Sequence, residues 1–166
     1  MIKAALGAMA MALALQAGTA LAAPPAPKKA APEPLQAVLA RFESRPAPQP
    51  VAPAPSMAET PLEYKRDAAR HLYAAYASLV RKGKLEPLLF GVAIVETTID
   101  AEGRVLAVDI LRPPAAQVVA PWIVRMIQAA SPLPAPTRMG AGRFTEIWLV
   151  ERAGSFQLDT LSEGQN

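Results

Sequence analysis

An α+β fold, with a small antiparallel sheet of three to four strands and two helices packed on it, is what this sequence predicts. Three observations carry that prediction. A Val-, Ile- and Thr-rich hairpin turns at Asp100-Ala101-Glu102-Gly103. Two amphipathic segments, opening at Thr60-Pro61 and at Pro121, repeat apolar residues at helical spacing. A third alternating run, Arg143 to Val150, follows a proline-rich stop.

The first helix has a marked start. Thr60 can cap, Pro61 suits the first helical position, and Glu63 stands three residues after Thr60, the spacing of a capping box. Leu72, Tyr76, Leu79 and Val80 form one apolar stripe, extended upstream by Ala68 and Ala69. Arg81 and Lys82 would sit at the negative end of the helix, and Gly83 accepts the positive φ of a stop. The pattern predicts one helix from Pro61 to Lys82, about 33 Å long.

Two strands follow. Phe90 to Ile99 is the outgoing strand and Arg104 to Leu111 the return, with Leu106, Val108 and Ile110 expected on one face. Gly103 falls where a type I turn with a bulge needs a positive φ. Arg112-Pro113-Pro114 ends the return strand. Pro121 to Ala130 is the second helix, with Trp122, Ile123, Met126, Ile127 and Ala130 on its apolar face. The run Ser131-Pro132-Leu133-Pro134-Ala135-Pro136 stops it. In Arg143 to Val150, Phe144, Trp148 and Val150 point one way and Ile147 and Leu149 the other. Ser155 to Thr160 is a candidate fourth strand. The folded domain is thus placed at residues 61–160, with a polar, loose tail over residues 161–166.

Ahead of the domain, residues 1–22 read as a cleavable secretory signal peptide. Lys3 supplies a positive start, an apolar run follows from Ala4 to Ala17, and Ala20-Leu21-Ala22 offers the small residues a signal peptidase requires. The alternative is a retained inner-membrane anchor, long enough only if Gln16, Gly18 and Thr19 are tolerated. Either reading sends the remainder across a membrane, and the expected location is the periplasm. Residues 23–60 are rich in proline: 11 of the chain's 18 prolines lie from Pro24 to Pro61. Proline disfavours helix and sheet, so this stretch is expected to be a disordered, extended tether reaching roughly 120 Å. Within it, Leu35, Val38, Leu39 and Phe42 recur at helical spacing, as in a short recognition helix or a transient turn.

The same residues limit the chemistry. Of 166 residues, 52% are hydrophobic but only 5% aromatic, which allows one modest core. A formal charge of +3 is too weak to imply nucleic acid. With no cysteine there is no thiolate nucleophile, and one histidine, His71, cannot complete a metal site. No nucleophile elbow accompanies His71, and Met139-Gly140-Ala141-Gly142 lacks the lysine and setting of a phosphate loop. His71 is therefore expected to be solvent-facing or partly packed. The expectation is a protein that is not an enzyme, with no catalytic residues, no metal and no cofactor. Charge is nonetheless uneven. Lys65, Arg66, Arg70, Arg81, Lys82 and Lys84 face only Asp67 between Tyr64 and Lys84, whereas the chain from Leu85 onward is net −3. That basic helix is either a solvated face or a docking surface for an acidic partner or anionic envelope polymer.

Several of these residues also occur in a familiar order. Ile99-Asp100 leads to Gly103-Arg104-Val105, then Val108 and Ile110; Val124 and Ile127 follow, and then the Ser131 to Pro136 run before the last long strand. In this the chain resembles the C-terminal domain shared by TonB and TolA, over roughly Leu62 to Glu151. Tyr73-Ala74-Ala75-Tyr76 is closer to TolA and the proline-rich tether closer to TonB. The resemblance implies a periplasmic domain that binds a partner by pairing it onto an exposed sheet edge. The partner would be a periplasmic or outer-membrane protein, such as a TonB-dependent receptor or a Tol-Pal-type protein, in energy transduction for outer-membrane transport. The expected edge strand is Arg143, Phe144, Thr145, Glu146, Ile147, Trp148, Leu149 and Val150. Two departures stand against the family pattern: residues 1–22 contain no histidine, and Arg112-Pro113-Pro114-Ala115-Ala116 stands where relatives often carry a serine-rich turn. The alternative function is a soluble periplasmic adaptor that binds polymer or protein through the basic first helix. Contact with a membrane is expected only if residues 1–22 are retained.

Overall fold

A computed structural model of the chain describes residues 33–44 and 46–162. The expected signal peptide, the first part of the expected tether (residues 23–32) and residues 163–166 lie outside them. Among the described residues no helix is long and apolar enough to cross a membrane. In chain order the elements are α1 (Leu35–Glu43), α2 (Pro61–Ala75), β1 (Gly91–Ile99), β2 (Val105–Arg112), α3 (Val119–Ala129), β3 (Gly142–Val150), β4 (Phe156–Leu158) and a closing 3-10 turn (Asp159–Leu161).

The four strands form one antiparallel sheet in the order β2-β1-β3-β4. Its two faces differ by the two-residue period of a strand. Ala93, Val95, Thr97 and Ile99 of β1 and Phe144, Trp148 and Val150 of β3 are buried, with α2 over β3 and α3 over β2. The alternate residues, Val92, Ile94, Ile147 and Leu149, are half-buried on the face the helices leave open. This is the predicted α+β architecture.

Local chemistry accounts for the secure parts. The Glu63 N–H donates to Thr60 Oγ1 at 3.3 Å, while the Glu63 carboxylate accepts from the Glu59 N–H at 3.0 Å. The capping box is therefore present, with its return bond one residue upstream. Thr60→Ala should cost about 1 kcal/mol, read as a lowered thermal midpoint. In the hairpin, Gly103 has φ +80° and its carbonyl accepts from the Leu133 N–H at 2.8 Å. Asp100 holds the same turn by accepting from the N–H groups of Glu102 and Arg104.

Two predicted elements end differently. α2 stops at Ala75, not at Lys82. The backbone beyond it is taken by the sheet: the Phe156 N–H donates to Leu79 O and the Arg81 N–H to Phe156 O, each at 2.9 Å. A helix through Val80 would forfeit both bonds and leave the outer side of β4 bare. Leu106 does not join Val108 and Ile110 on the core side. β2 has register breaks on either side of its centre, one between the partners of Thr98 and Ile99 and one between those of Ile94 and Val95. Leu106 and Leu111 are the extra residues, and they stand 64% and 56% exposed.

The largest correction concerns the expected tether. From residue 33 onward it is docked on the domain. Val38 and Phe42 of α1 are buried, and the Phe42 ring stacks on Phe90 at 5.2 Å and meets Trp122 edge-on at 5.3 Å. The Arg125 guanidinium donates to Phe42 O at 2.6 Å. The proline-rich arm then runs back over α2, where the Gln49 N–H satisfies Ala75 O, a free carbonyl at the helix end, at 2.7 Å. Ser56 is buried: its hydroxyl donates to Asp67, its N–H donates to Ala135 O, and its carbonyl accepts from Thr137. Proline leaves the arm extended but does not keep it loose, because side chains between the prolines find partners. At the other end Leu161, expected in a loose tail, belongs to the 3-10 turn and packs on the core.

His71, expected to be solvent-facing or partly packed, is instead buried in α2, where the end of α3 gives its ring a polar partner, Nε2 lying 3.1 Å from Ala130 O. Tyr64 of α2 and Tyr76, the residue that caps its end, donate to Pro134 O at 2.7 Å and Met126 O at 2.8 Å. The three side chains pin α2 to the end of α3 and the chain after it. Among the described residues no group of three or more His, Asp or Glu side chains is placed to hold a metal ion.

Candidate partner-docking edge

Backbone direction decides which strand can accept another. The Glu151 N–H donates to Ser155 O, so it points toward the β4 side of β3. N–H groups two residues apart in a strand point the same way. Those of Leu149, Ile147, Thr145 and Arg143 therefore also face away from β1. β4 covers only the end of that row, pairing with Trp148, Leu149 and Val150. Beyond Leu158 the chain turns off as the 3-10 turn.

The expected edge strand is thus divided. Over Trp148, Leu149 and Val150, β3 is an inner strand, and that part of the expectation is corrected: these residues have a partner on each side. Over residues 143–147 β1 is the only paired neighbour among the described residues. Among the described residues the outward N–H groups of Arg143 and Thr145 meet no backbone or side-chain acceptor. A groove of about 430 Å³ opens along this stretch. It is lined by Pro61, Leu62 and Lys65 of α2 and by Ile94, Arg143, Phe144, Thr145 and Ile147 of the sheet. Leu62 is 72% exposed at its rim, an apolar side chain with nothing to cover it among the described residues.

The groove is basic at two points. Arg143 reaches Glu96 across the open face at 3.4 Å, and Lys65 lies near enough to Glu146 to affect its charge. No protein-family model, no curated protein and no solved structure matches this chain.

β2 forms the other border of the sheet. On its outer side the Val105 N–H donates to Ser131 Oγ at 3.0 Å, and no other backbone hydrogen bond reaches that side among the described residues. Its two bulges interrupt the even spacing of donors and acceptors that a regular added strand needs. The sequence already shows the alternation of β2, but not its bulges.

The six expected cations of the first helix are not brought together. Lys65, Arg66 and Arg70 lie on α2, and Arg70 is partnered by Asp67 at 3.3 Å. Arg81, Lys82 and Lys84 follow the helix in a separate loop, because α2 ends at Ala75. There Arg81 stands 3.6 Å from the buried carboxylate of Glu151. A continuous basic helix face is therefore absent.

Leu62 escaped the sequence reading, and the burial of Glu146, a residue of the expected edge strand, was not foreseen. Leu62 sits in the first turn of α2, off the Leu72 stripe; an apolar residue off the stripe is the signal it offered. Glu146 lies on the buried side of β3 between Phe144 and Trp148, where the alternation calls for an apolar side chain. That break in the pattern was its signal.

Proposed function

We propose that this chain is a non-enzymatic binding module of the cell envelope, of the TonB/TolA C-terminal kind, that takes an extended segment of a periplasmic or outer-membrane protein as an added strand at residues 143–147. The observation that carries the reading is the pair of outward N–H groups at Arg143 and Thr145, without an acceptor among the described residues and set beside a groove with an exposed leucine. An incoming strand satisfies those donors and covers Leu62, Ile94 and Ile147, so hydrogen bonding and apolar burial act together. The alternative, polymer binding through a basic helix, has less support, since only Lys65, Arg66 and Arg70 remain on α2.

The test is capture of envelope proteins by the immobilised chain. Leu62→Asp should weaken capture of the bound protein about tenfold or more by placing a charge in the apolar contact. Leu62 is exposed, so folding should be unaffected. Capture by strand addition should also persist at high salt. Binding that survives Leu62→Asp but falls steeply with salt, and with loss of Lys65, Arg66 and Arg70, would establish the polymer reading instead. Sequencing the mature N-terminus separates two modes of action. A start near Ala23 makes a free periplasmic protein; retention of Met1 ties the module to the inner membrane and lets it carry force.

A further inference from the structure

The outward N–H of Ile147 is occupied, unlike those of Arg143 and Thr145. It donates to Oε1 of Glu146 at 2.9 Å, and the Thr160 N–H reaches the same oxygen at 3.4 Å. Glu146 is 4% exposed. Its Oε2 and the Thr160 hydroxyl are both buried, and neither completes a hydrogen bond of ordinary geometry among the described residues. A buried carboxylate with a vacant oxygen is costly, and an apolar side chain between Phe144 and Trp148 would avoid the cost. The position of this carboxylate gives it a use. It lies where β4 stops, across the hydrogen-bonding slot that the next residue of an added strand would fill.

We infer that Glu146 is a gate on the docking edge: charged, it holds the Ile147 N–H and stops an added strand at Thr145; neutral, it releases that N–H and lets the strand run on to meet β4. The functional use of the gate rests on the edge-strand reading, but the gate itself belongs to the chain alone. The chemistry is that of an acceptor changing charge. A carboxylate accepts more strongly than a neutral carboxyl group, so protonation weakens the bonds from Ile147 and Thr160. The added proton gives the carboxyl a donor that Thr160 Oγ1 can accept, which draws the group toward the 3-10 turn.

Among the described residues, few charges surround Glu146. α2 contributes Lys65, which favours the charged form. The turn contributes Thr160, while its Asp159 is exposed. Opposite Glu146 on β1 stands Val95, and β4 ends in Leu158, so neither strand adds a charge. Burial is the largest influence and pushes the Glu146 carboxyl above the usual glutamate value of 4.5, with bonds from Thr160 and Ile147 and the Lys65 charge opposing it. The neutral, open form is then populated at a pH where ordinary glutamates are still charged.

The test needs no partner. Amide signals of the full chain are followed by NMR through a pH titration, with hydrogen exchange corrected for its intrinsic pH dependence. The Ile147 and Thr160 amides should shift with one shared midpoint above 4.5, and protection of Ile147 should fall below that midpoint. Glu146→Gln should abolish the shared shift. Lys65→Gln, on the helix surface, should raise the midpoint and serves if Glu146→Gln does not fold. The gate is refuted if the two amides do not titrate together, if their midpoint lies at or below 4.5, if the shift persists in Glu146→Gln, or if Lys65→Gln leaves it unmoved. A working gate with no strand binding would count against the docking reading alone.

Discussion

Phe42→Ala should destabilise the domain by about 3 kcal/mol, the low end of the range for a buried phenylalanine, because α1 lies at the surface and can relax into the gap. The measurement is the free energy of unfolding in denaturant. The loss arises from two ring contacts, with Phe90 at 5.2 Å and with Trp122 at 5.3 Å, and from burial of a side chain only 1% exposed. The control is Leu35→Ala in the same helix, where the side chain is 58% exposed and the change should stay within about 0.5 kcal/mol. If residues 33–60 were a free tether, neither substitution would alter unfolding. Equal, negligible effects of both would therefore remove α1 from the domain. A loss of this size is a sizeable share of the 5–15 kcal/mol, roughly, that holds a typical domain folded. A fragment starting at Thr60 should accordingly be less stable than one starting at Glu33.

Thr145→Pro should abolish partner binding and leave the sheet intact. Proline removes one N–H and is tolerated where that N–H points away from the neighbouring strand. By the alternation counted back from Glu151, the Thr145 N–H points away from β1. The ladder between β1 and β3 therefore keeps its bonds, while an added strand loses a central hydrogen bond and meets the proline ring. Affinity should fall about tenfold from the lost bond alone, and further from the steric clash. The checks are capture from envelope extract and the far-ultraviolet circular dichroism of the variant. Full binding by a folded Thr145→Pro protein would exclude residues 143–147 as the docking edge. The same substitution at Trp148 would be uninformative, since that residue is paired on both sides and its ring stacks on Phe156 at 4.9 Å.

Much of the candidate site was legible before the structure. Arg143 to Val150 shows its alternation plainly, and the observed strand differs by one residue. A resemblance to edge-pairing domains pointed to this strand. What could not be read was how much of it stays open. That depends on where β4 stops; beyond it the 3-10 turn places Thr160 against Glu146. Nothing local to residues 143–150 reports that contact. The basic helix face failed for a related reason. Its cations were placed on one helix by the apolar stripe, but the stripe residue Leu79 lies in a turn and Val80 bridges to Phe156 of β4 instead.

Short-range bonds fix the elements that can be read from residue order alone: the Asp100 to Gly103 turn, the Thr60 start of α2, the alternation of β1 and β3, and the amphipathic face of α3. Each is set by a residue's own φ preference or by partners a few positions away. Where α2 ends, whether α1 and the proline-rich arm join the core, and how far the border of β3 stays free of a neighbouring strand among the described residues all depend on the tertiary fold. Those outcomes turn on partners far along the chain: Phe156 for Leu79 and Arg81, Trp122 for Phe42, Ala135 for Ser56. A backbone group or a ring takes whichever partner satisfies it once the chain has closed, and short-range patterns carry no record of that choice.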